Sequence, residues 1–132
     1  MDKLFTFERI TIEPPLRAIC RRLGYREGLT QLRPDEARTL GDRIEQARAL
    51  VTLKGTARRL PILSKAPGRI RLPGERCLES AQLASLLADS QEVLLLGATA
   101  GPDVIEAIRR DAAEDNLTRA VVFDAAASEM VD

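Results

Sequence analysis

Four consecutive apolar residues, Val93 to Leu96, run without interruption into Gly97-Ala98-Thr99-Ala100-Gly101-Pro102. A charged amphipathic stretch follows, and then Ala120 to Val131, whose only polar residues are Asp124, Ser128 and Glu129. Segments this apolar must be covered, because water disfavours extended apolar surface. Everything upstream therefore reads as cover for the last third of the chain.

The 132 residues suffice for a single domain over 1–132 with a core that needs no staples. Twenty basic and twenty acidic residues cancel, which leaves no global electrostatic case for nucleic acid. Arg17, Arg21 and Arg22 form one local basic cluster, and Arg58, Arg59, Arg69 and Arg71 another. Both read first as solvated faces and second as contacts for an anion or a partner. There is no histidine, so the commonest general base and metal ligand is missing, and Cys20 and Cys77 alone cannot build a zinc site. No metal site is expected. No apolar run fits a signal peptide or a bilayer span, so a reduced, cytoplasmic protein without membrane partners is the expectation.

Taken in order, Leu4 to Ile12 is partly alternating and β-branched and suits a short strand, ended by Pro14 and Pro15. Leu16 to Leu23 reads as a short helix closed by Gly24, and Tyr25 to Leu32 as a loop. Pro34 to Val51 is the clearest amphipathic helix. Ala37, Leu40, Ile44, Ala47 and Val51 recur at helical steps, which suits one face packed on a sheet, and Gly41 weakens it by roughly 1 kcal/mol. Thr56 to Leu63, Arg69 to Leu72 and Glu75 to Leu78 read as strands of an antiparallel meander, with Pro61 at an edge or bulge. Ser80 caps a helix over Ala81 to Ala88, with Leu83, Leu86 and Leu87 inward. Glu92 to Ala98 is a strand apolar on both faces and hence expected at the centre of a sheet. Gly101-Pro102-Asp103 starts the next helix, with Val104, Ile105, Ile108 and Ala112 as its apolar face.

The final segment admits two readings from its residues. Ala120 to Phe123 fits a second parallel strand, whereas Leu117, Ala120, Val121, Asp124, Ser128 and Val131 share one face of a buried helix. The Gly97–Gly101 turn offers backbone amides to a phosphate but lacks the third glycine of a dinucleotide fingerprint and the Lys-Ser/Thr of a P-loop. Val121-Val122-Phe123-Asp124 is similar to the nucleophile strand of haloacid-dehalogenase-type phosphatases, yet Ala126 stands where those enzymes place a second acid. Asp124 and Ser128, with Glu129 beside them, mark either a ligand contact or a satisfied structural network.

Ala98-Thr99-Ala100-Gly101-Pro102 and Phe123-Asp124-Ala125-Ala126-Ala127-Ser128-Glu129-Met130-Val131 resemble the S-adenosylmethionine-binding activation domain of cobalamin-dependent methionine synthase and its stand-alone relatives. Leu23-Gly24-Tyr25, Arg59-Leu60-Pro61-Ile62 and Ser80-x-x-Leu83 extend the likeness upstream. The resemblance implies an α+β domain with a bent antiparallel sheet and packed helices, and it selects a helix for Leu117 to Val131. It further implies a protein that presents S-adenosylmethionine to cob(II)alamin carried by a partner, a corrinoid-dependent methyltransferase or methionine synthase, with an electron from a flavodoxin-like donor. The protein would assist methyl transfer rather than act as an independent enzyme, and no residue is assigned a catalytic role. Glu129 falls near a ligand-binding glutamate of the family, and Asp124 and Ser128 are its nearest polar companions. The family's Arg followed by Gly-Tyr-Pro, beyond the apolar helix, has no counterpart here, since Gly24-Tyr25 precedes Arg26. A ligand-free structural or protein-interaction module of the same fold is the alternative that this departure favours. It also predicts an exposed apolar patch near Phe123, Met130 and Val131, or a homodimer that hides one.

Overall fold

The computed structural model describes residues 3–132. The elements are β1 (Lys3–Ile10), α1 (Leu16–Arg22), α2 (Pro34–Leu50), β2 (Leu53–Pro61), β3 (Ser64–Ala66), β4 (Arg69–Leu72), β5 (Arg76–Glu79), α3 (Ala81–Leu86), β6 (Glu92–Thr99), α4 (Pro102–Ala113) and α5 (Leu117–Val131). No helix among the described residues is long and apolar enough to cross a membrane.

The fold is α+β, with two small antiparallel sheets. The first has the order β1-β2-β6 and the second β3-β4-β5. The expected bent sheet is not formed: the strands are divided between two separate sheets, and neither is bent. The division happens at Pro61, which ends β2 and has no amide hydrogen to extend the ladder. The next two amides then take different partners. Ile62 donates to the carbonyl of Gln91 at 2.8 Å, just before β6, whereas Leu63 donates to Arg71 in β4 at 2.9 Å. From Leu63 onward the chain belongs to the meander, in which Lys65 pairs with Ile70 and Ile70 with Leu78. Pro61 thus sits at the end of a middle strand, where its missing donor is tolerated as well as at an edge.

Strand β6 is an edge, not the centre of its sheet. Val93 is buried, while Leu94 and Leu96 are 57% and 75% exposed. The uninterrupted apolar run looked like a strand covered on both faces, but only one of its faces meets a core.

The chain divides into two compact units, one of Gly55–Gly97 with the start of the chain up to Phe7, the other of Glu8–Lys54 with Ala98–Asp132. The first packs Leu60, Ile70, Leu72 and Val93 together, with Leu78, Leu83 and Leu87 around them. Ser80 caps α3 by accepting the Leu83 amide at 3.1 Å. Leu83 and Leu87 face inward as expected; Leu86 does not, being 77% exposed.

The second unit is helical at its core. Helix α5 packs against α4, α2 and α1, so the apolar face of α2 meets a helix rather than a sheet. Ile19 of α1, Ile44 and Ala47 of α2, and Val122, Phe123, Ala125 and Ala126 of α5 are buried together. Three alanines in succession let neighbouring helices approach α5 closely and carry high helix propensity. Ala127 joins Ala100 and Val104 in a second cluster. The expected exposed patch is absent, because Phe123 and Met130 are 3% and 6% exposed. The outer stripe of α5 is instead Leu117, Val121 and Asp124, residues that helical spacing had grouped as a buried face.

Two helix ends in this unit explain its local geometry. At the end of α1, Gly24 adopts φ +88° and its amide reaches Arg21 at 3.0 Å, while the Tyr25 amide reaches Cys20 at 2.9 Å. This is the Schellman arrangement, which favours glycine at the left-handed position. At the start of α4, Gly101 adopts φ +85°, and a side chain there would meet the Thr52 carbonyl oxygen at 3.1 Å.

Candidate functional site

A groove of about 390 Å³ lies in the helical unit, lined by Arg22 of α1, Thr99 at the end of β6, Ile105 of α4, and Asp124, Ser128 and Asp132. Its apolar wall comes from Ala98, Ala100, Ala127 and Val131. Each polar residue arrives by a local rule. Asp124 and Ser128 are one helical turn apart and share the outer side of α5. Arg22 occupies the last turn of α1, where a cation complements the exposed carbonyl end of the helix. Thr99 accepts a hydrogen bond from the Gly101 amide at 3.2 Å, which fixes the turn into α4.

The electrostatics centre on Arg22. Its Nε donates to Glu129 at 2.7 Å, and an Nη donates to Asp132 at 3.2 Å. The hydrogen bond to Glu129 is the main cause of an upward shift in the Arg22 pKa, with Asp132 and Asp124 adding to it through their charge. Two carboxylates thus contact one guanidinium and a third, Asp124, lines the same groove, so the neighbourhood carries net negative charge. An acidic groove with a small apolar wall suits a cationic ligand that has an apolar body.

Of the residues singled out from sequence, Asp124 and Ser128 line this groove. Asp124 is exposed and Ser128 half-buried. The carboxylate of Glu129 is committed to Arg22 and 18% exposed. Arg22 and Asp132 were missed as site residues; no sequence spacing links positions 22 and 129, which only the packing of α1 on α5 brings together. The Gly97–Gly101 turn does not form a phosphate cradle. Its glycine at 101 is packed against Thr52, whose amide donates to Ala100 at 2.8 Å. Asp124 lies within a helix rather than at a strand end, which removes the phosphatase-type placement of that acid.

The arginines at 59 and 69 are ion-paired with Glu92 and Glu79 respectively, in keeping with a solvated charged face. The two cysteines are free thiols, Cys20 half-buried and Cys77 exposed. No protein-family model matches the chain, and no curated protein matches it.

Proposed function

We propose that the protein is a small activation-domain-like accessory to corrinoid-dependent methyl transfer, and that its groove beside α5 takes S-adenosylmethionine. One observation carries this reading. The two stretches on which the resemblance rests meet at one groove, which is lined by Ala98, Thr99 and Ala100 of the first and by Asp124, Ala127, Ser128 and Val131 of the second. The fit lies in the donor set. Asp124 supplies an anion for a sulfonium, Ser128 and Thr99 supply hydroxyls, and Ala98, Ala100 and Val131 supply apolar surface.

S-adenosylmethionine, when bound, supplies an activated methyl group, and the corrin of a partner methyltransferase or methionine synthase would receive it. The work of this chain is binding and orientation. Asp124 attracts the positive charge, and Glu129 with Asp132 holds the Arg22 guanidinium at the groove's rim. The reading places the protein in the cytoplasm beside that methyltransferase.

A second reading has its own observation. The carboxylate aligned with the family's ligand-binding glutamate, Glu129, already has an internal partner at 2.7 Å. That favours a ligand-free interaction module of the same fold. Calorimetric titration with S-adenosylmethionine and S-adenosylhomocysteine separates the two. The first reading expects saturable binding, weaker for the uncharged thioether and weakened by Asp124→Asn. A folded protein that gives no binding heat with either compound leaves the interaction module standing and overturns the first.

A further inference from the structure

A second concavity of the helical unit, separate from the acidic groove, has the opposite character. It has a volume of about 310 Å³ and is framed by α1 and the loop that follows it. Its wall includes Leu16, Cys20, Arg21, Tyr25, Arg26 and Leu32. The Schellman ending of α1 explains how these residues meet. Gly24 reverses the chain, so the loop carrying Tyr25 and Arg26 returns alongside the helix that carries Leu16, Cys20 and Arg21. A turn in which the Arg26 amide donates to Thr30 Oγ1 at 2.8 Å and the Thr30 amide donates back to the Arg26 carbonyl at 2.8 Å stiffens the loop.

The charges of this wall are unequal. Arg17 is matched by Glu27 at 2.5 Å, on the exposed rim. Arg21 and Arg26 have no acidic partner among the described residues. Two guanidiniums without an acidic partner therefore border a cavity whose remaining lining is Leu16, Leu32, Thr30, the Tyr25 ring, the Cys20 thiol and the mutually neutralised Arg17–Glu27 pair. Guanidinium forks match the geometry of carboxylates and phosphates, and the volume is at the small end for ligand pockets.

We propose that this pocket binds a small organic anion: one carboxylate or phosphate head held by Arg21 and Arg26, and a compact apolar body, about one ring in size, against Leu16, Tyr25 and Leu32. The site is independent of the groove beside α5 and of the function proposed for it.

The pocket carries its own reporters. Cys20 lines it, while Cys77 is exposed in the other unit and serves as an internal control. Tyr25 is the chain's one tyrosine and there is no tryptophan, so tyrosine emission reads this pocket alone. The experiment measures iodoacetamide labelling at each cysteine by mass spectrometry, with phenyl phosphate, benzoate, inorganic phosphate and benzyl alcohol as probes. Phenyl phosphate or benzoate is expected to slow labelling of Cys20 several-fold, to leave Cys77 unchanged and to alter Tyr25 emission. Which of the two acts at lower concentration identifies the head. Arg21→Gln and Arg26→Gln, each with an unchanged far-ultraviolet circular dichroism spectrum, are expected to remove the protection. Equal protection by benzyl alcohol overturns the anion assignment, and equal protection by inorganic phosphate overturns the apolar body. Absence of protection and of any emission change with phenyl phosphate and benzoate overturns the site. So does equal slowing at both cysteines.

Discussion

Arg119 grips Asp111 with both arms of its guanidinium: Nε donates to Oδ2 at 2.8 Å and an Nη to Oδ1 at 2.5 Å. Asp111 is 1% exposed and lies near the end of α4, while Arg119 lies in the first turn of α5. The pair fastens the corner between two helices that Asp115, at φ +57°, turns sharply. Arg119 also lies over the Phe123 ring, 5.6 Å from its centroid. Asp111→Asn keeps the shape and removes the charge. It is expected to destabilise the protein by about 2 kcal/mol, in the range of hydrogen bonds to charged groups, Arg119 remaining partly solvated. Urea denaturation measures it; an unchanged midpoint would show that the clasp contributes nothing.

The same pair fixes one part of the acid response. The hydrogen bond from Arg119 outweighs burial and holds the Asp111 carboxyl below its ordinary pKa of 3.8. A carboxyl depressed in the folded state contributes its full stability above the unfolded value, and loses it as pH falls through the folded one. Wild type should therefore lose stability below about pH 4 more steeply than Asp111→Asn. Parallel curves for the two proteins over that range would contradict the assignment.

Gly101 and Gly24 make a matched test of backbone strain against steric contact. Both have positive φ, but a Cβ at 24 meets nothing within 4 Å, whereas one at 101 meets Thr52 oxygen at 3.1 Å and Thr52 Cβ at 3.2 Å. Gly24→Ala should cost roughly 1 kcal/mol from the left-handed conformation alone. Gly101→Ala should cost more, about 2–3 kcal/mol, because Thr52 must also move. Thermal unfolding of the two variants gives the order, and a reversed order refutes the reasoning.

Much of this architecture was legible beforehand. Leu117 to Val131 is one helix, as the resemblance selected, and the α1 ending, the Ser80 cap and the α4 start follow rules that act within a few residues. What could not be read depended on distant partners. Pro61 divides the sheets only because the two amides after it find acceptors in different places, Ile62 at Gln91 and Leu63 at Arg71. Nothing local to α4 marks Asp111 for burial, and only the return of Arg119 makes that burial tolerable. The groove suffers the same limit: Asp124 and Ser128 could be picked out by their apolar neighbours, but Arg22 enters from the other end of the chain.

Strand β6 presents Leu94 and Leu96 on the outer face of an edge strand without proline or charge from Val93 to Ala100. Uncharged apolar edges invite pairing with other chains. Leu96→Lys should therefore raise the soluble fraction recovered on refolding with little change in the unfolding midpoint. Light scattering during refolding decides it, and equal turbidity for the two proteins would count against the edge as the sticky surface.

Salt should distinguish the Arg22 cluster from the Asp111 clasp. The acids around Arg22 are more open to water, so their contribution is screened by ions. Arg22→Ala should lower the unfolding midpoint at low ionic strength and lose most of that effect in concentrated salt. The effect of Asp111→Asn should persist there.

The helical unit is written in the sequence as two separate passages, 8–54 and 98–132, with Gly55–Gly97 between them. No contiguous stretch of the gene encodes it. A fragment that carried only the resemblance-bearing last third would contain α5 without Ile19, Ile44 and Ala47, the residues that keep it dry. Such a fragment would have the wording of the site and none of its support. The turns at Pro67-Gly68 and Pro73-Gly74 lie wholly within the intervening passage. They are the natural places to open the chain or graft a tag, because a cut there leaves every helix of the other unit intact in its own passage.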